Sequence, residues 1–148
     1  MRTIVFGSDH AGFGLKNILM EHLKDRCEAI DVGTHSLDSC DYPLVAGRLA
    51  REVLDRQAHG ILICGSGIGV SMAANRFAGI RAALCANEYM ARMSRMHNDA
   101  NVLCMGERII GVDLAKAIAD AFLDTAFEGG RHQRRVDLID TQAPSDQP

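Results

Sequence analysis

The sequence predicts a doubly wound α/β domain, a Rossmann-like sheet of five parallel strands with helices on both faces. Three observations carry this expectation. Five apolar stretches of strand length recur along the chain, helical periods fall between them, and the stretches are apolar at consecutive positions rather than alternate ones. Continuous apolarity suits strands covered on both faces, and strand alternating with helix implies parallel pairing through right-handed crossovers, an α/β/α sandwich.

The elements follow in order. "TIVFG" (3–7) is the first strand, and the helix after it carries Leu15, Ile18, Leu19 and Leu23 at i, i+3, i+4 and i+8. "EAIDVG" (28–33) is the second strand, and Val45, Leu49 and Val53 stripe the next helix. "GILICG" (60–65) is the third, and its end opens into a glycine-rich helix start. "IRAALCA" (80–86) and "NVLCMG" (101–106) are the fourth and fifth strands, with a fourth helix between them. Leu114, Ile118 and Phe122 mark the last core helix, and 128–140 could add a short helical arm. Residues 1–140 are expected to form one domain, and "TQAPSDQP" (141–148) has the composition of a disordered tail.

Bulk properties exclude several classes. The 148 residues are 47% apolar and 24% charged, ordinary for a globular protein, and no apolar run reaches the roughly 20 residues a membrane span needs. The first ten residues lack the apolar core of a signal peptide, so a cytoplasmic protein is expected. Five cysteines without a Cys-x-x-Cys pair read as reduced thiols, and a net charge of -3 argues against nucleic-acid binding.

In doubly wound folds ligands gather beyond the carboxyl ends of the strands. Three strand ends carry unusual chemistry: "GSDHAGFG", "CGSGIG" and "GERIIG". The second does not fit the dinucleotide fingerprint, because Val70 stands where the third glycine belongs; nor is it a P-loop, because no lysine lies between Lys24 and Lys116. A hydrolase elbow around Ser66 would need glycine at Cys64. What remains is general. Gly65, Gly67 and Gly69 let the backbone turn tightly and leave N–H groups facing outward at a helix start, a nest for phosphate or for a developing enediolate. The same donors favour a thiolate at Cys64. The plainer alternative, Cys64 as a small buried hydrophobe ending a strand, stands beside it.

Asp9 can cap the following helix or, with His10, face the mouth of a site. "MHNDAN" (96–101) joins a helix to a strand, so His97 lies at the opposite end of the sheet from Cys64; a catalytic His97 would therefore serve a neighbouring subunit. Arg131 and Arg135 in "GGRHQRR" share a helix face and suit a phosphate, or form a solvated basic surface; Arg108 is a third candidate, and Arg134 should point elsewhere. Tyr42 in "DYP" could line a pocket or fill a turn. Proton abstraction next to a carbonyl needs a base and donors for the enolate oxygen. No His/Asp/Glu run has metal-ligand spacing, so no metal is expected.

Together "GSDHAG", "DYP", "CGSGIG", "AANRFAGIRAA", "SRMHNDANVL" and "EGGRHQRRV" resemble ribose-5-phosphate isomerase type B, in order and across residues 1 to about 140. The resemblance implies a cofactor-free aldose-ketose isomerase acting on phosphorylated sugars from sites shared between two subunits of a homodimer, which could assemble further into a tetramer. It implies Cys64 as the base moving a proton between C2 and C1, and the amides of Gly65, Ser66, Gly67, Ile68 and Gly69 as the anion hole. His97 then opens the furanose ring, Asp9 lies near the reacting end, and Ser66 relays protons between O1 and O2. Asn98 and Tyr42 fall in the substrate pocket, and His10, Arg108, Arg131 and Arg135 at the phosphate. Relatives that lack the cysteine carry a glutamate at the position of Val70; this chain has the cysteine. Six-carbon and four-carbon sugar phosphates, or a non-catalytic sugar-phosphate or nucleotide sensor, are the alternatives.

Overall fold

A computed structural model describes residues 1–142, so most of the expected tail, 143–148, lies outside the described residues. The chain runs β1 (Arg2–Ser8), a 3-10 turn (His10–Gly12), α1 (Phe13–Leu23), β2 (Cys27–Asp31), α2 (Tyr42–Arg56), β3 (His59–Cys64), α3 (Ile68–Ala74), β4 (Ala82–Leu84), α4 (Glu88–Met96), β5 (Val102–Gly106), α5 (Val112–Asp124) and α6 (Arg131–Ile139). All strand pairs are parallel, in the order β2-β1-β3-β5-β4.

Side chains leave each strand to alternate faces, and the two cores follow from that period of two. Ile4 and Phe6, Ile61 and Ile63, and Leu103 and Met105 pack under α1, α4 and α5. Val5, Leu62 with Cys64, and Val102 with Cys104 pack under α2 and α3. A fully buried Leu, Ile or Phe contributes about 1.5–3 kcal/mol, and β1, β3 and β5 supply both faces, so these three form the rigid centre. The expected stripes need correction at two positions. Ile18 and Leu114 are exposed; Lys16 is buried on α1, and Ala115 and Ala119 are buried on α5. The 3.6-residue period admits either choice, and α5, packed between α1 and α4, buries the alanines instead of Leu114.

Lys16 is fully buried and binds Asp31 Oδ1 at 2.7 Å and the Thr34 carbonyl, tying α1 to the end of β2. β4 is shorter than expected and forms the sheet edge. There the Asn75 side chain takes the place of a neighbouring strand: its Oδ1 accepts from Ala82 N at 2.8 Å and its Nδ2 donates to Ala82 O at 2.9 Å. The edge is thereby closed to further pairing at that residue.

The register places Ile63 opposite Ser8 and Cys64 opposite Gly106, so the ends of β1, β3 and β5 open side by side. The chain reverses its direction across the sheet between β1 and β3. That is the switch point where a doubly wound fold leaves a crevice. No helix among the described residues is long and apolar enough to cross a membrane.

Candidate active site

The crevice is a cleft of about 470 Å³ lined by Asp9, His10, Tyr42, Cys64, Ser66 and Arg108 among others. Cys64 is 5% exposed, and its Sγ accepts a hydrogen bond from Gly67 N at 3.2 Å. Cys64 thus packs in the α2/α3 core and also borders the cleft. Gly67 makes this possible. Its φ of +78° is left-handed, and a Cβ there would stand 2.5 Å from Leu84 Cδ1 and 2.8 Å from the Met105 carbonyl carbon. Ser66 Oγ accepts from Ile68 N at 3.1 Å, which closes the turn into α3.

Two backbone bonds fasten this loop to its neighbour, Glu107 N to Cys64 O and Arg108 N to Gly65 O, each 3.0 Å. The Arg108 side chain consequently lies over Gly65. Asp9 combines both of its expected roles: Oδ1 accepts from Ala11 N and Gly12 N at 3.0 and 3.1 Å, and the residue lines the cleft. His10 Nδ1 accepts from Cys40 N at 3.2 Å, so in the neutral ring the proton sits on Nε2, a donor suited to an anion. Tyr42 packs against Gly69, where a Cβ would stand 2.7 Å from its ring. Sequence reasoning missed Ile109, which also borders the cleft; an isoleucine in a loop carries no chemical signal.

His97, Asn98 and Arg135 line a different cleft, of about 350 Å³, together with His132, Val136 and Ile139. None of its residues borders the Cys64 cleft, as the helix-to-strand position of His97 requires. Arg131 and Arg135 both lie on α6 and are exposed, with Arg135 in the cleft wall. Arg134 is exposed and stays out of it. The sequence reading overlooked His132, which is 7% exposed and stacks on His97 with ring centroids 4.3 Å apart. Burial, then the His97 ring and Arg131, hold its pKa below the usual imidazole value. No run of the sequence has metal-ligand spacing, but the fold sets three such groups side by side. His97, Glu128 and His132 bring ligand atoms within 4.8 Å of one another, a grouping made by the fold from distant parts of the chain.

The remaining cysteines carry no such geometry. Burial pushes the Cys85 thiol up to about 11 and raises those of Cys27 and Cys104, which keeps them protonated and unreactive.

A doubly wound sheet with a thiol and an amide-rich loop at its switch point, and His10 and Arg108 at the rim, marks an α/β protein whose cleft suits an anionic ligand. The chain belongs to the ribose/galactose isomerase family, whose model matches residues 4–139. It is 52% identical over 141 residues to ribose-5-phosphate isomerase B of Escherichia coli strain K12, covering 94% of this chain and 95% of that protein. A structure of ribose-5-phosphate isomerase B from Clostridium thermocellum superposes with a TM-score of 0.92 at 51% identity, covering 94% of this chain and 95% of that one. The Mycoplasma genitalium enzyme with bound ribulose-5-phosphate superposes with a TM-score of 0.91 at 44% identity, covering 94% of each chain.

Proposed function

We propose that the protein interconverts ribose 5-phosphate and ribulose 5-phosphate through an enediolate, with Cys64 as the base. The observation that carries this reading is the Cys64 sulfur in the cleft, hydrogen-bonded to Gly67 N and flanked by Asp9, Ser66 and Arg108. The relatives named for this reaction support the choice of sugar.

The thiolate takes the proton from C2 of the open-chain aldose. The C–H electron pair becomes the C1=C2 bond, and the carbonyl electrons move onto O1. Amides of the Gly65–Gly69 loop stabilise that charge, strengthened by the low dielectric of the cleft floor. The Ser66 hydroxyl, within the same loop, relays the proton between O1 and O2, and the Cys64 thiol returns its proton to C1. Asp9 orients the hydroxyls at the reacting end. Electrons are conserved within the sugar, so the step calls for no external redox partner.

Ribose 5-phosphate is largely a furanose and must open first. His97 is the acid-base group for that step, with Asn98 beside it; both line a cleft separate from that of Cys64, which supports their coming from a second copy of the chain. Arg131 and Arg135 of that copy would then meet the phosphate together with His10 and Arg108. A homodimer with shared sites follows, and exposed Ile68 and Met72 near one half-site and Leu138 and Ile139 near the other offer apolar surface for it. The five free cysteines support a reducing, cytoplasmic setting.

The test is conversion of ribose 5-phosphate by the purified protein and its Cys64→Ala variant, both with chelator. Loss of about 10²–10⁴-fold in kcat with little change in KM is expected for removal of a general base. Turnover undiminished in the variant would remove Cys64 from the mechanism.

A further inference from the structure

We propose that His97, Glu128 and His132 form a zinc site, and that zinc bound there inhibits the enzyme by taking the His97 imidazole out of ring opening. The first part rests on geometry alone; the second rests on the role given to His97 above.

The three ligand atoms all lie within 4.8 Å of one another. Zinc bonds to nitrogen and oxygen of about 2.0–2.2 Å place tetrahedral ligands roughly 3.4 Å apart. His132 Nε2 and Glu128 Oε2 are already 3.5 Å apart, so that edge of the tetrahedron is preformed. His97, half-buried and stacked on His132, completes the set by a side-chain rotation. Two imidazoles and one carboxylate are a borderline-soft donor set that suits zinc and leaves the fourth position for water.

The frame around the three groups is ordered rather than incidental. Glu128 N donates to Met96 O at 3.1 Å, which joins the segment before α6 to the end of α4 next to His97. His132 is held one turn after Glu128, in the first turn of α6, and is buried there. One backbone contact therefore brings all three ligands together. Glu128 itself has no part in the isomerase mechanism.

The experiment uses the full-length protein, stripped with chelator and dialysed. Zinc binding is followed by calorimetry and cobalt binding by visible absorption. The proposal expects one saturable site per chain, with a tetrahedral cobalt spectrum. Removing even an outer partner of a metal ligand weakens binding about 10–100-fold, so Glu128→Gln is expected to cost at least tenfold in zinc affinity. Its metal-free turnover should stay at the wild-type level, and its zinc inhibition curve should shift by the same factor as its affinity. Cys64→Ala should bind zinc as the wild type does. Absence of saturable binding, or binding that Glu128→Gln leaves intact and Cys64→Ala abolishes, overturns the site. Binding lost in Glu128→Gln with no inhibition of an active wild type overturns the regulatory part only. An inactive wild type that still binds zinc through Glu128 overturns the isomerase reading and the regulatory part resting on it, while the metal site stands.

Discussion

The strand β3 starts at His59 and ends at Cys64, and its two ends do different work. At the carboxyl end the backbone shapes the cleft: glycines, amides and a thiol, with loops fastened to each other by main-chain bonds. At the amino end side chains dominate. Arg95 is buried against Asp99 and the carbonyls of Ala100 and Thr125, Arg81 meets Asp99, and His97 stacks on His132 beside them. The difference teaches that main-chain bonds of the sheet fix the Cys64 cleft, whereas the His97 cleft is assembled by side chains from the end of α4 and from α6.

The sharpest way to break this comparison is to separate the halves. Cys64→Ala and His97→Ala should each lose most of their turnover of ribose 5-phosphate. Mixed after reversible dissociation, they should regain about a quarter of the wild-type sites, because half of random dimers are hybrids and each hybrid holds one intact pair. No recovery in verified hybrids would place both residues in one chain's site. The reverse reaction adds a refinement: ribulose 5-phosphate has no furanose form, so His97→Ala should impair it less than the forward reaction.

Glycine substitutions probe rigidity. Gly67→Ala should cost about 3 kcal/mol, combining a left-handed φ with overlap on Leu84 and Met105, whereas Gly129→Ala has the same handicap of φ but open space and should cost about 1 kcal/mol. Chemical denaturation of the two variants measures the contrast. On the arm, Arg135→Ala should raise KM by about tenfold or more, the worth of one charge-assisted hydrogen bond, and Arg134→Ala should leave it unchanged.

The smallest effect belongs to the amino end of β3. Burial, then the nearby Arg95 and Arg2, lower the His59 pKa from 6.5 to about 4. The unfolded chain then binds the proton more tightly, so the neutral folded form is fully favoured above pH 6.5 and loses ground as pH falls toward 4. The ring is partly open to solvent, which reduces the effect to about 1 kcal/mol. Thermal unfolding from pH 7 to pH 4 should show His59→Gln to be less acid-sensitive than the wild type.

These contrasts also mark what the sequence made legible. Continuous apolar runs identify β1, β3 and β5 because strands buried on both faces have no polar positions to spare. Cys64 and its loop were readable because glycine spacing reports backbone geometry directly. His132 and Glu128 were not, since their significance comes from His97, which the fold brings to them from the end of another helix. Ile18 and Leu114 were misplaced because a helical stripe tells which side faces inward but not which neighbouring helices flank it. Lys16 was passed over for a related reason: a buried lysine depends on Asp31 and Thr34, contributed by a different strand and loop.

The strand order has a consequence for synthesis. β5 is inserted between β3 and β4, so the edge of β3 beyond β1 has no neighbour until residues 102–106 leave the ribosome, and β4 has none at all. The nascent chain thus carries Cys64 on a half-paired strand until β5 has been made. Cys64 gains its final environment only when the last strand slides into the gap, making the enzyme's central element the latest to be completed.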